Sequence, residues 1–163
     1  MDISFKTELG KFNYRVCAVI IHENKVLVMK DNHANYYYLP GGRVQFNETA
    51  EQAVLRELKE ELDIDAKIVI PLYFNQNFFN EDVLKIDYHE IGIYFLVDVS
   101  ETDIFSRGET FKGIEDVKNQ LFEWMSFDRV KNEYLYPIFI KKNIDNLPKS
   151  LVIINEFKNT TVD

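Results

Sequence analysis

From Ala50 to Leu62 the chain is rich in alanine, leucine and glutamate, and no other segment carries so strong a helical signal. Thr49 and Gln52 stand three residues apart at its start, the spacing of a reciprocal capping box. At about 100° per residue, Val54, Leu55, Leu58 and Leu62 form an apolar stripe that must face a core. Glu57, Glu60 and Glu61 are neighbours on one face, together with Ala50 and Ala53. That face adjoins the stripe, so the carboxylates are expected at the edge of the buried surface, and Lys59 points the other way. A helix of this kind needs a second layer to pack against.

The rest of the chain offers strands for that layer. Arg15 to Ile21 is β-branched and apolar and reads as a buried strand. Glu23-Asn24 is a turn and Lys25 to Met29 the return strand, which makes a hairpin. Tyr36 to Leu39 is a short strand ended by Pro40-Gly41-Gly42. After the helix, strands are expected at Ala66 to Phe74, Tyr88 to Val99 and Phe122 to Met125. The polar and aromatic stretch Asn75 to Asp87 reads as a loop. Ser126 caps a short helix through Lys131, and another begins with Pro137 and runs to about Ile144. Strands broken by one early helix and closed by late ones imply a mixed sheet covered by helices.

A length of 163 residues with 46% hydrophobic content suits one compact domain with a sizeable core. No repeat or Pro/Gly/Ser-rich linker divides it. The apolar runs are of strand length, the best being Gly92 to Val99, and no basic, apolar leader is seen, so neither a membrane span nor secretion is expected. Cys17 is the only cysteine and fits a reducing, cytoplasmic setting. A net charge of -8 argues against a general nucleic-acid binder. It leaves room for a small phosphorylated substrate, since a divalent cation bridges carboxylates and phosphates.

Glu57 and Glu61, like charges at i, i+4, cost a helix about 0.2–0.5 kcal/mol. Arg56 offsets part of this by pairing with Glu60 or with Glu48 in the preceding loop. A hard cation such as Mg²⁺, which takes oxygen ligands, would offset more. No Cys/His spacing competes for a metal. A solvated acidic helix face is the plain alternative for three glutamates taken alone.

The surrounding spacing separates these readings. From Gly42 the chain reads Gly, five residues, Glu48, seven residues, then Arg56-Glu57-Leu58-Lys59-Glu60-Glu61-Leu62-Asp63-Ile64. This closely resembles the signature box of the Nudix hydrolase family, the MutT-like pyrophosphohydrolases, and every specified position matches but one. Leu39-Pro40-Gly41-Gly42 resembles the family's usual lead-in, and Glu123-Trp124-Met125-Ser126 with Tyr136-Pro137 its closing strand and helix. The departure is Asp63, where the family has a glycine that ends the helix in a left-handed conformation. Aspartate tolerates that conformation better than most residues, and the change removes no carboxylate of the box.

The resemblance implies an α/β/α sandwich of the α+β class with a mixed β-sheet, one domain over 1–163. It implies Mg²⁺ or Mn²⁺ and attack of water on a nucleoside diphosphate linked to another moiety, such as a nucleoside triphosphate or nucleotide sugar. Glu57, Glu60 and Glu61 become the expected metal ligands, and Glu57, Glu60 and Arg56 the catalytic set, with Glu57 also a candidate for activating the water. Gly41, Gly42 and Glu48 are expected at the substrate, Gly42 letting backbone pass close to the metal site and Glu48 bracing the loop. Relatives often add an acidic residue from outside the box, for which Glu109, Glu115 and Asp116 are candidates.

Phe78, Phe79 and Tyr88, and alternate members of Tyr36, Tyr37 and Tyr38, are candidates to stack on a base, with core packing as the competing role. His22, His33 and His89 have no partner spacing and receive no role. Pro71 falls too early for the downstream proline associated with ADP-ribose. A non-hydrolytic nucleotide sensor of the same fold is the second reading, against which the intact glutamate set speaks. Messenger RNA decapping fits the acidic charge poorly. A homodimer is compatible with the sequence without being specified by it.

Overall fold

The computed structural model describes residues 1–32, 34–81, 85–115 and 119–157. In chain order the strands are β1 (Ser4–Thr7), β2 (Gly10–Val19), β3 (Ile21–His22), β4 (Lys25–Lys30), β5 (Tyr37–Tyr38) and β6 (Gly41–Arg43). Helix α1 (Ala50–Leu62) follows, then β7 (Lys67–Glu81), β8 (Ile86–Asp98), β9 (Thr110–Lys112) and β10 (Leu121–Ser126). The chain closes with α2 (Phe127–Asn132), β11 (Leu135–Tyr136), α3 (Ile138–Lys141) and β12 (Val152–Phe157).

These strands make two mixed sheets. One runs β1-β2-β8-β7-β12, with β6 also on β2; the other runs β11-β5-β4-β10-β9, with β3 also on β4. The β2/β8, β7/β12 and β5/β11 pairs are parallel. Alternate residues of the central strands enter two separate cores, as the two-residue period of a strand requires. Val16, Ala18, Ile20, Leu27 and Met29 pack with Val54, Leu58 and Leu62 of α1. Cys17, Val19, Val26 and Val28 pack with Val130 of α2 and Ile140 of α3 on the opposite side. The helices thus cover both faces, the sandwich expected from the resemblance. Each fully buried leucine or valine contributes about 1.5–3 kcal/mol.

Local signals account for the joints. The β3–β4 turn has positive φ at both Glu23 (48°) and Asn24 (60°), which matches the twist of a two-residue hairpin. Thr49 Oγ1 accepts from Gln52 N at 3.1 Å, while Gln52 Oε1 accepts from Thr49 N at 2.9 Å, so the capping box is complete. Asp63 lies at φ 51°, ψ 46° and its N–H donates to the Lys59 carbonyl, the left-handed helix end expected there.

The stretch 75–87 departs from expectation. Its described part is not a loop: β7 continues to Glu81 and β8 begins at Ile86, so both strands run on as one long hairpin. The polar run Asn75-Gln76-Asn77 reads as loop, yet Asn75 donates to Glu156 and the next residue, Gln76, to Asn155, both on β12. The final helix is also shorter than expected, only Ile138–Lys141, with turns after it. Among the described residues no helix is long and apolar enough to cross a membrane.

Candidate active site

Helix α1 lies with Ala53, Val54, Leu58 and Leu62 fully buried, and this orientation takes two of its carboxylates inward. Glu57 is 7% exposed and Glu61 only 1%, whereas Glu60 stays at the surface. The glutamates therefore do not share one edge position: two are interior groups and the third is solvated. Burying an ionised carboxylate is costly unless charge or hydrogen bonds compensate it.

Arg56 supplies much of that compensation. Its Nε donates to Glu48 Oε1 at 2.6 Å and its Nη2 to Glu48 Oε2 at 3.1 Å, a two-pronged pair. Its Nη1 reaches Glu57 Oε1 at 2.9 Å and Glu60 Oε2 at 3.1 Å, and its Nη2 also reaches the Arg43 carbonyl at 3.0 Å. One guanidinium thus ties three carboxylates to the β6 backbone. Glu48 also accepts from Gln45 N at 2.8 Å, which closes the loop before α1. The hydrogen bonds from Arg56 hold the Glu48 carboxyl below its ordinary range.

Gly42 stands directly against Glu57. A Cβ on Gly42 would fall 2.2 Å from the Glu57 carboxyl carbon, so only glycine lets β6 and this carboxylate approach so closely. Gly41 has φ 151°, and a Cβ there would fall 2.1 Å from the Val16 carbonyl oxygen. One turn beyond Glu57, Glu61 Oε1 accepts from the buried Gln120 amide at 3.1 Å. The Ile114 N–H donates to the Glu61 carbonyl at 3.0 Å, and Arg107 to the Leu62 carbonyl at 2.6 Å. The segment before β10 therefore closes over the end of α1. Gln120 was not foreseen: a lone polar residue before a strand carries no signal without the fold.

Other candidates are dispersed. Glu109 is exposed and paired with Lys25 at 2.6 Å. Glu115 is partly buried beyond Ile114, on the segment that crosses the end of α1, while Asp116 and His33 lie outside the described residues. Phe79 stacks on Tyr88 at 4.9 Å and Phe78 on Phe157 at 5.1 Å, so these aromatics belong to strands. Tyr37 lies beneath Lys30 and Arg129, and Tyr38 donates to Asp31 at 2.7 Å. Tyr36 packs edge-on against Tyr136 at 4.9 Å. His22 packs on Phe105, and His89 lies beside Phe78.

The donors suit a hard cation in kind, being carboxylate oxygens only. With no Cβ on Gly42, the Glu57 carboxylate lies directly against the β6 backbone. Among the described residues, however, no three acidic, imidazole or thiol groups already converge on one point. Glu57 and Glu60 are held by Arg56 instead, so a bound cation would exchange for some of those bonds.

With this fold and this loop, helix and loop, the chain belongs to the NUDIX domain family, whose model matches residues 11–146. It is similar to the 8-oxo-dGTP diphosphatase of Proteus vulgaris, 49% identical over 37 residues, covering 23% of this chain and 33% of that protein. It is also similar to the ADP-ribose pyrophosphatase of Methanocaldococcus jannaschii, 34% identical over 89 residues, covering 52% of this chain and 49% of that protein. These matches span about half or less of the relatives' own lengths. A MutT protein from Bacillus halodurans has the same fold in its crystal structure, with a TM-score of 0.63 at 15% identity over 89% of this chain and 90% of that one.

Proposed function

We propose that residues 1–163 form one Nudix domain that hydrolyses the diphosphate linkage of a nucleoside diphosphate joined to another moiety, with Mg²⁺ or Mn²⁺. The observation that carries this is the buried Glu57 carboxylate, held by Arg56 against Gly42, with Glu61 buried one turn further on. Two interior carboxylates on one helix face favour a cation beside them. The relatives' names, one for 8-oxo-dGTP and one for ADP-ribose, agree on a nucleoside-diphosphate derivative and differ on which.

Glu57, Glu60 and Glu61 would hold the metal. When bound, it would neutralise the diphosphate and bring water into reach of phosphorus. Arg56 orients Glu57 and Glu60 and carries their charge when the site is empty of substrate. Glu57 would also take the proton of the attacking water, and Glu60 would serve beside it in the catalytic set. Gly41 and Gly42 let the backbone approach the substrate, and Glu48 fixes Arg56. The single thiol, Cys17, is buried, in keeping with a reducing cytoplasm.

The test is phosphate or pyrophosphate release with and without Mg²⁺ and Mn²⁺, from nucleoside triphosphates, oxidised nucleotides, ADP-ribose and nucleotide sugars. Glu61→Gln should abolish metal-dependent turnover with the circular dichroism spectrum unchanged. Near-wild-type turnover in that variant would sink the assignment. Silence of the folded, metal-binding wild type across the panel would favour the sensor reading.

A further inference from the structure

Each of the three proposed metal ligands has one oxygen already committed to an N–H donor. Arg56 Nη1 donates to Glu57 Oε1 at 2.9 Å and to Glu60 Oε2 at 3.1 Å. For Glu61 the donor comes from outside the helix and its loop: Gln120 Nε2 donates to Glu61 Oε1 at 3.1 Å, across 59 positions. The bonds differ in depth. Glu60 is exposed, so its bond to Arg56 is open to exchange with water or a cation. Gln120 is 4% exposed and Glu61 1%, so the amide bond is shielded from solvent.

Gln120 stands where the chain enters β10, and its backbone carries the β9–β10 pairing one step further. The Gly113 N–H donates to the Gln120 carbonyl at 2.9 Å. The next residue, Ile114, donates its N–H to the Glu61 carbonyl at 3.0 Å. This end of the strand pair therefore holds Glu61 twice, by main chain and by side chain. Gly113 leaves room for the amide. A Cβ there would fall 2.8 Å from the Phe122 ring and 3.3 Å from Gln120 Oε1. That amide oxygen is buried and has no hydrogen-bond partner. A buried acceptor left unpaired costs about 1–3 kcal/mol. Leucine or methionine would fill the same space without that cost, so packing alone does not account for a glutamine here. The N–H aimed at Glu61 does.

We propose that Gln120 is a positioning residue that selects the cation: by holding Glu61 Oε1 it leaves Glu61 one oxygen to offer, and so favours Mg²⁺ over Ca²⁺. The inference deepens the function proposed above and rests on its metal assignment. Mg²⁺ is small, demands near-ideal octahedral geometry and is usually held by one or two carboxylates with water and substrate phosphates. Ca²⁺ takes roughly six to eight oxygens at longer distances and readily accepts both oxygens of one carboxylate. A carboxylate with one oxygen tied serves the first need and fails the second. An amide ties it without charge. Lysine or arginine in its place would neutralise Glu61 and compete with the cation, and glutamate would add oxygens for a larger coordination shell. Gln120 supplies direction alone, as a hydrogen-bond partner behind a metal ligand does.

The experiment reads bound Mn²⁺ by electron paramagnetic resonance and displaces it with Mg²⁺ or Ca²⁺, with no nucleotide and no turnover. In wild type, displacing half of the Mn²⁺ should take at least tenfold more Ca²⁺ than Mg²⁺. Gln120→Met keeps the size and loses the donor. It should bring the two concentrations within threefold of each other and weaken Mn²⁺ binding by about tenfold. Gln120→Glu should reverse the order of the two ions. A purely structural role would lower the melting temperature of metal-free Gln120→Met and leave the Ca²⁺/Mg²⁺ ratio of its folded fraction as in wild type, a result that overturns the proposal. Equal displacement by the two ions in wild type overturns it without any variant, as does a wild type that binds no Mn²⁺ at millimolar concentration. Selective binding with no hydrolysis of any nucleotide refutes the hydrolase reading alone, whereas metal-dependent hydrolysis by a protein that binds Ca²⁺ as well as Mg²⁺ refutes this inference alone.

Discussion

Glu57 and Gly42 depend on each other at very short range. A Cβ on residue 42 would lie 2.2 Å from the Glu57 carboxyl carbon, so Gly42→Ala must push the carboxylate off Arg56. A displacement of that size costs about 100-fold in rate. Steady-state kinetics of Gly42→Ala should show that loss in kcat, and a loss under threefold would mean that Glu57 does not act from its observed position. Glu48 works through Arg56 and is testable by pH. Its carboxyl is held below the ordinary range, so its stabilisation is present above the unfolded-state value and is lost as pH falls through the depressed one. The melting-temperature gap between wild type and Glu48→Gln should be widest near neutrality and close in acid, below the usual carboxylate range. A gap independent of pH would contradict the pairing.

At the scale of elements, α1 is the piece whose two ends are both determined by local chemistry. Thr49 and Gln52 satisfy donors at the start, and Asp63 turns the chain at the end with φ 51°. An L-residue in that region is strained, and the Asp63–Lys59 pair is exposed and offsets little. Asp63→Gly should therefore raise the melting temperature by roughly 2–4 °C. A fall in scanning calorimetry would show that the pair outweighs the strain. The long β7–β8 hairpin is a different kind of element. Its distal half carries Asn75, Asn77 and Asn80, weak strand formers, and is held by pairing across β8 and β12 rather than by propensity.

At the scale of the molecule, two sheets bring β6 against the side of α1, the loop before it to its start and the segment before β10 over its C-terminal end. If Glu57 and Glu61 take part in holding a cation, Mg²⁺ should stabilise the whole fold by linkage, by about 2.7 kcal/mol at a hundred times its dissociation constant. Thermal melts with and without Mg²⁺ should show the shift in wild type and none in Glu61→Gln. An equal shift in both would place the ion elsewhere.

Most of the loop and helix around Glu57 was legible in the sequence because its information is local. The capping box, the left-handed stop at Asp63 and the spacing of Glu48, Arg56 and Glu57 all lie within two dozen residues, where helical periodicity alone relates side chains. The burial of β2 was legible for the same reason, as an unbroken apolar run from Val16 to Ile21, although its division between two cores was not. What the tertiary structure decided is non-local. Glu57 and Glu61 became interior and Glu60 exterior only when the sheets fixed the rotation of α1. Gln120 reaches Glu61 across 59 positions, Asn13 reaches Glu90 across 77 and Asn75 reaches Glu156 across 81. Polar side chains on a strand read as turn or surface until a partner strand lies beside them. Register is set by long-range pairing, and no periodicity within a segment encodes it.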